Sequence, residues 1–132
     1  MLCHREAAEV KEMLSEKDQR WNKFVIRICE HEPSELSGAA RFAVLCFDYD
    51  TEMNVGGHRA YFENYPAASP DTLSEALREV AGGSFAENFF RAFSEGEGAG
   101  WQTADEAFFQ MKPSLSDCLM DYVEAHRDEI FA

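Results

Sequence analysis

The chain has 132 residues, 25 of them acidic and 12 basic, which gives a formal net charge of −13. This length suits one domain with one hydrophobic core, and a hydrophobic fraction of 45% indicates a folded chain rather than a disordered one. A surface this acidic repels nucleic acids and anionic membranes and attracts basic proteins. We therefore expect a basic protein partner, with no direct binding of nucleic acid and no membrane association.

Four cysteines are scattered along the chain without a C-x-x-C pair: Cys3, Cys29, Cys46 and Cys118. The N-terminal residues M-L-C-H-R-E-A-A-E-V contain no apolar run of signal-peptide length, and no segment reaches transmembrane length. We expect a cytoplasmic protein whose thiols are reduced and act as small apolar side chains. No metal or other cofactor is expected.

Apolar residues recur at three- and four-residue spacing along most of the chain, and no segment has the pattern of a strand. The predicted fold is all-α, a compact bundle of about six or seven helices that forms a single domain over residues 1–132. Residues 1–32 are predicted to be an N-terminal helical segment, with one long helix or two consecutive helices over residues 4–31. Ser15 with Asp18 is a candidate second start within it.

Residues 36–53 predict a helix that is apolar nearly all round and therefore buried at the centre of the bundle. A turn at residues 54–57 follows, since it contains two glycines, and then a short helix over residues 58–64. A Ser-Pro pair at residues 69–70 predicts the start of the next helix, and the glycine pair at residues 82–83 predicts its end.

Two capping boxes, at residues 84–87 and 103–106, predict the starts of two further helices. The segment between these helices, E-G-E-G-A-G at residues 95–100, predicts a flexible acidic loop. The last helix is expected to follow residues 113–114 and to continue almost to the end of the chain.

Asp48, Asp50 and Glu52 resemble the opening of a calcium-binding EF-hand loop. The sixth position of that loop requires glycine and here is Met53, and the twelfth requires glutamate and here is Arg59. This excludes an EF-hand. The favoured interpretation of the three acids is a solvated flank of the central helix.

One group of residues remains open as an acid–base or ligand-binding site: Glu52, His58 and Tyr61. His58 follows the glycine turn, and Tyr61 lies about one helical turn further along. Nucleophile motifs and phosphate-binding glycine loops are absent from the sequence. The favoured expectation is a protein that is not an enzyme.

Rows of carboxylates lie at helical spacing on three predicted helices. The last helix carries Asp117, Asp121, Glu124 and Asp128. A second row consists of Asp71, Glu75 and Glu79, and a third of Glu9, Glu12 and Glu16. Carboxylates four residues apart are about 6 Å apart along a helix, which is similar to the spacing of phosphates along a nucleic-acid strand. Phosphate imitation is one interpretation, and the ordinary solvated face of an acidic amphipathic helix is the other.

Residues 45–64, L-C-F-D-Y-D-T-E-M-N-V-G-G-H-R-A-Y-F-E-N, resemble the signature E-V-x-N-G-G-F-x-Q-Y-F-x-N of a family of small acidic bacterial DNA-mimic proteins. The matching residues are Glu52, Gly56, Gly57, Tyr61, Phe62 and Asn64. Segments 76–83 and 105–131 resemble later parts of the same family, so that the likeness covers about residues 36–131. Val55, His58 and Ala60 stand where the family usually has Asn, Phe and Gln.

The resemblance implies an all-α, non-enzymatic and dimeric protein that imitates DNA and captures a bacterial DNA-binding regulator. The acidic rows on the last helix and on the helix of residues 70–81 would then bind the basic DNA-reading surface of that regulator. Other members of the family look like immunity or antitoxin proteins, so an inhibitor of a basic toxin is the alternative. Because one fold serves several functions, this inference is by analogy.

Overall fold

The computed structural model describes residues 15–132, without the side chains of residues 99 and 100. This part of the chain contains seven α-helices and no strand, which confirms the predicted all-α bundle. The predicted helical residues 4–14, with Glu9 and Glu12 of the third acidic row, lie outside the described residues.

The α-helices are, in chain order, α1 Glu16–Lys23, α2 Gly38–Asn64, α3 Pro70–Ala81, α4 Gly83–Glu95, α5 Ala99–Gln110, α6 Leu115–Ala125 and α7 Arg127–Ile130. A π-helical turn, Phe24–Ile28, continues α1, and a short 3-10 helix, Pro33–Glu35, precedes α2. The predicted start at Ser15 is confirmed, because its hydroxyl oxygen accepts a hydrogen bond from the backbone N–H of Asp18 at 3.0 Å.

The long helix α2 lies at the centre, in contact with α3, α5, α6 and α7. Its largest fully buried apolar side chains are Tyr49 and Met53, which belong to one core together with residues from the surrounding helices. The predicted apolar stripe of α3 is buried as well: Leu73, Ala76, Leu77 and Val80. The three- and four-residue spacing therefore identifies the core-facing sides of these helices correctly.

Both predicted capping boxes are wrong. Helix α4 begins at Gly83, one residue before Ser84, and α5 begins at Ala99, so that Thr103 lies inside it. Each helix starts after a glycine with positive φ, Gly82 (φ 83) and Gly98 (φ 103), a conformation that glycine adopts without steric cost, and neither helix has a side-chain cap. The predicted loop at residues 95–100 is accordingly reduced to residues 96–98.

The last predicted helix is also interrupted. His126, with φ −110 and ψ 22, separates α6 from the short α7. Its ring Nδ1 lies 2.9 Å from the carbonyl oxygen of Tyr122, and its ring stacks on the Tyr122 ring at 4.0 Å. As a result Asp128 lies on a different helix from Asp117, Asp121 and Glu124, and the four carboxylates do not form one continuous helical row.

A sharp kink divides α2 at the glycine pair, as the sequence predicts. Gly56 has φ −160 and ψ 17, and Gly57 has φ 72 and ψ −161, so neither is helical. The second part of the helix turns back, and Tyr61 is buried against the core. A Cβ atom added at Gly57 would collide with the carboxylate of Asp105 on α5. Glycine is therefore required here for its conformation and for the close approach of α5.

We expect Gly57→Ala to lower the free energy of unfolding by about 2 to 4 kcal/mol, because it adds both backbone strain and a collision with Asp105. Gly82→Ala is the matched control, since φ is similar there but no atom lies within 4 Å of the added Cβ. The control substitution should lower the free energy of unfolding by only about 1 kcal/mol. Urea unfolding measures both, and equal losses would show that the contact with Asp105 is unimportant.

Candidate functional site

The acidic row on α3 is open to solvent. Asp71, Glu75 and Glu79 are all exposed and lie opposite the buried stripe of that helix. None of the three forms an ion pair with another residue of the described chain. The row therefore presents three uncompensated carboxylates that span about 12 Å along the helix.

The row on α6 is partly neutralised by α1. Lys17 Nζ lies 2.5 Å from Asp121 Oδ1, and Arg20 donates two hydrogen bonds to Glu124, one of them from Nε to Oε2 at 2.7 Å. The hydrogen bond from Arg20 lowers the pKa of Glu124, and the bond to Asp121 raises the pKa of Lys17. Two of the four carboxylates predicted to bind a partner are thus already paired within the chain.

The two remaining members of that row differ in position. Asp117 is exposed in the first turn of α6, whose N-terminus is capped by Ser114. Asp128 is exposed on α7, beyond the break at His126. The structure therefore keeps all seven predicted partner-binding residues at the surface or close to it, but only the α3 row is both unbroken and unpaired.

The start of α2 depends on an acid that the sequence analysis did not single out. Glu129 Oε2 on α7 accepts a hydrogen bond from the backbone N–H of Ala39 at 2.5 Å. Burial raises the pKa of Tyr122 to about 12, and the nearby charges of Glu79 and Glu129 add to that effect. Glu79, at the end of the α3 row, and Glu129, which caps α2, thus both raise the pKa of Tyr122.

The residues of the glycine motif hold the kink of α2 together. Asn64 donates a hydrogen bond from Nδ2 to Glu52 Oε2 at 2.8 Å and so connects the two parts of the helix. Tyr61 packs edge-on against Tyr49 at 5.3 Å, and Phe62 stacks on the ring of Trp101 at 5.4 Å. These contacts give the matched motif residues a structural role in the bend.

A buried chain of hydrogen bonds crosses the same kink. Asp105 Oδ1 accepts from the backbone N–H of His58 at 3.0 Å and lies 2.6 Å from His58 Nδ1. His58 Nε2 lies 2.6 Å from the hydroxyl of Tyr49. Because a carboxylate can only accept, Nδ1 carries the proton and Nε2 accepts from the tyrosine. Asp105 thus also satisfies the first N–H of the helical segment after the kink.

The acid–base or ligand-binding group left open in the sequence at Glu52, His58 and Tyr61 is not formed. His58 is fully buried, and both of its ring nitrogens already have partners. Glu52 instead binds Asn64, and no hydrogen bond or ion pair joins it to His58, although both lie in the described chain. Burial lowers the pKa of His58, while the bond to Asp105 opposes that shift. The arrangement stabilises a neutral, structural histidine.

Asp48 is not a fully solvated flank of α2, contrary to the sequence interpretation. It is half-buried, and burial raises its pKa to about 6, with the nearby charges of Glu32 and Glu52 contributing further. Burial also raises the pKa of Asp50. These acids are partly desolvated because α2 is surrounded by other helices.

Residues 15–132 contain no group of three or more His, Cys, Asp or Glu side chains placed to hold a metal ion. None of the helices described there combines the length and the apolar character required to cross a membrane.

We expect Tyr49→Phe to lower the free energy of unfolding by about 1 to 3 kcal/mol, because His58 Nε2 would be left buried without a donor. Tyr65→Phe is the control, as Tyr65 is half-buried and its hydroxyl makes no hydrogen bond to the described residues. The control should change the value by no more than about 0.5 kcal/mol. Chemical denaturation measures both variants, and equal effects would show that the tyrosine–histidine bond contributes nothing.

Asp48→Asn should stabilise the protein at pH 8 by about 1 to 3 kcal/mol, since a raised carboxyl pKa makes the charged form costly in the folded state. The folded pKa of about 6 lies above the ordinary value of 3.8, so that the cost disappears as the pH falls through 6 towards 4. Unfolding curves at pH 8 and pH 4.5 test this. Asp71→Asn, at an exposed position, should have little effect at either pH, and a pH-independent gain for Asp48→Asn would contradict the assignment.

The family model described as DMP19-like protein matches residues 34–93, which include the whole of α2 and α3 and most of α4. No curated protein and no solved structure gives a match to the chain. The matched region contains the glycine motif and the α3 row but not α6, and it covers less than half of the chain. Over this central part the chain is similar to the DMP19-like protein family.

Proposed function

We propose that this chain is a non-enzymatic binding module that captures the basic, DNA-binding surface of a bacterial regulator, and that the α3 row is its main contact. The resemblance of the glycine motif to DNA-mimic proteins motivates the choice of partner. The match to the DMP19-like protein family includes both that motif and the α3 row. The observation that carries the proposal is the row itself, three exposed carboxylates that no cation of the described chain neutralises.

The geometry of α3 suits a partner that binds phosphates. Asp71, Glu75 and Glu79 are each four residues apart on one face of a straight helix of 12 residues. Successive carboxylates are therefore separated by about 6 Å along the axis, a spacing similar to that of neighbouring phosphates on one strand. Lysine and arginine side chains arranged to contact a phosphate strand would meet carboxylates at a comparable interval.

The overall charge favours the same kind of partner. A formal net charge of −13 attracts a basic surface over distance and makes association fast and sensitive to salt. Screening weakens this attraction beyond about 8 Å at physiological ionic strength, so that the close contacts of a row must supply the specificity. The α3 row can do so without breaking internal ion pairs, whereas Asp121 and Glu124 on α6 cannot.

Affinity capture from a bacterial lysate tests this function. We expect the immobilised protein to retain a basic DNA-binding protein that is eluted by salt and released by double-stranded DNA. The variant Asp71→Asn/Glu75→Gln/Glu79→Gln should bind the captured protein about tenfold more weakly or worse, since the lost charge contacts together amount to at least ~1.4 kcal/mol.

The control variant is Glu87→Gln/Glu95→Gln/Glu106→Gln, which removes the same net charge at exposed positions on α4 and α5. It should bind within about threefold of the parent protein, because salt screens charges outside the contact. Equal losses for the two variants would count against a specific α3 contact. Capture of a basic toxin that does not bind DNA would overturn the regulator as partner and favour the alternative function, an immunity-type inhibitor of a toxin.

A further inference from the structure

The ion pairs between α1 and α6 indicate that α1 competes with a basic partner for the acids of α6. We propose that the first turns of α1 form a displaceable latch over the acidic residues of α6, and that a basic helix of a partner takes the place of α1 on that surface. The inference extends the proposed function, on which it rests for the basic character of the partner, to a second surface and to its control. The latch is defined as residues 16–20, and the covered surface as Asp121 and Glu124, the two acids of α6 that α1 pairs.

The basic residues of α1 match the covered surface in order and spacing. Basic side chains recur every three residues, and their contacts progress in the same direction along α6 and α7, so that α1 and α6 run parallel at this contact. The contacts are Lys17 with Asp121, Arg20 with Glu124, and Lys23 with the ring of Phe131 at 5.2 Å. The chain itself thus shows how a basic helix lies on these acids.

The latch is held mainly by polar contacts. None of the residues of α1 is fully buried, and the first buried side chain after it is Phe24. Lys17 and Asp121 are well exposed, with 43% and 71% of their side-chain surface accessible. This exposed ion pair contributes little to stability in water and weakens further in salt. The Arg20–Glu124 pair is less exposed, at 30% and 25%, and its two hydrogen bonds make it the firmer contact. A competing arginine that restores these two hydrogen bonds to Glu124 can therefore take the place of Arg20.

A pivot for the movement follows directly after α1. Trp21 stacks on Phe24 at 5.4 Å, and Phe24 packs edge-on against Phe47 of α2 at 6.0 Å. The turn Phe24–Ile28 that contains this anchor is π-helical, an irregularity that often marks functional positions in helices. Residues 16–20 can move away from α6 while Phe24 stays in the core.

A depression beside the latch is lined mainly by cations. It has a volume of about 400 Å³, lies between α1 and α7, and is lined by Arg20, Lys23, Arg127, Asp128 and Phe131. Asp128 is exposed there and makes no ion pair with another described residue. The three cations repel an incoming basic helix, so that Asp128 becomes available to it only after α1 has moved.

The test uses a defined probe rather than the unknown partner. The probe is an alanine-based helical peptide with lysines on one face at three- and four-residue spacing, and its control is a peptide of the same composition with the lysines placed all round the helix. Binding is measured by fluorescence anisotropy at low salt with the full chain. Far-UV circular dichroism confirms that each variant is folded.

Lys17→Gln/Arg20→Gln should bind the one-faced peptide about three- to tenfold more tightly than the parent protein, since the internal competitor is weakened. Adding Asp121→Asn/Glu124→Gln to this variant should remove the gain. Arg78→Gln/Lys112→Gln is the matched control, because it removes the same net charge at exposed positions away from the latch. An equal gain in this control, no gain in the latch variant, or equal binding of both peptides would overturn the proposal.

Hydrogen exchange gives a second readout on the parent protein. Binding of the one-faced peptide should speed exchange of the backbone amides of residues 16–20 and leave α3 unchanged. Unchanged exchange at residues 16–20 would also overturn the latch. In both readouts every protein, the parent included, carries Asp71→Asn/Glu75→Gln/Glu79→Gln, because the open α3 row would otherwise bind the probe as well. The probe then reports on α6 and the lysate capture reports on α3, so that failure of either proposal can be recognised without the other.

Discussion

The kink of α2 at Gly57 is the constraint on which the rest of the fold depends. The close approach of Asp105 from α5 fixes that kink, since one carboxylate oxygen accepts from both the backbone and the ring of His58. The kink returns Tyr61 and Phe62 to the core, where they meet Phe89 of α4. A straight helix would carry these aromatic side chains away from α4 and α5. The contact between Asp105 and the buried His58 thereby positions α2, α4 and α5 relative to one another.

The distribution of charge follows from this packing. The core is formed by apolar faces, so that nearly all of the acids are at the surface, and a chain with a net charge of −13 must limit its self-repulsion. On α6 it does so with Lys17 and Arg20. On α3 no ion pair with a described residue offsets Asp71, Glu75 and Glu79. A regular row of three exposed carboxylates left unpaired on one helix face is the physical reason to regard α3 as the contact surface.

Sequence patterns predict those parts of this structure that depend on local spacing. The stripe of Leu73, Ala76, Leu77 and Val80 and the turn at Gly56-Gly57 follow from neighbours in sequence, and both are observed. The sequence pattern places the start of α5 at residues 103–106, but the helix begins at Ala99 because tertiary contacts extend it towards its N-terminus. Trp101 Nε1 donates to the carbonyl oxygen of Ala92 at 3.1 Å, and no local motif encodes this bond. Both α4 and α5 instead begin after a glycine with positive φ and have no side-chain cap.

Local sequence patterns likewise predict the acidic rows of the candidate site but not their ion pairs. The acidic rows are visible in the sequence because helical periodicity places them on one face, but the state of each row depends on partners far along the chain. Arg20 and Glu124 are 104 residues apart, and His58 and Asp105 are 47 apart. Neither separation leaves a signal in a single sequence. The sequence therefore identifies candidate surfaces but cannot tell an occupied row from an open one.

The cap that Glu129 places on the first turn of α2 affects the order in which parts of the protein can fold during synthesis. The hydrogen bond to Ala39 joins residues 90 positions apart, and the kink of the same helix waits for Asp105. During synthesis the central helix emerges early, yet both of its stabilising carboxylates leave the ribosome late. Until then α2 remains an apolar segment without its native supports, a state in which nascent chains are exposed to aggregation.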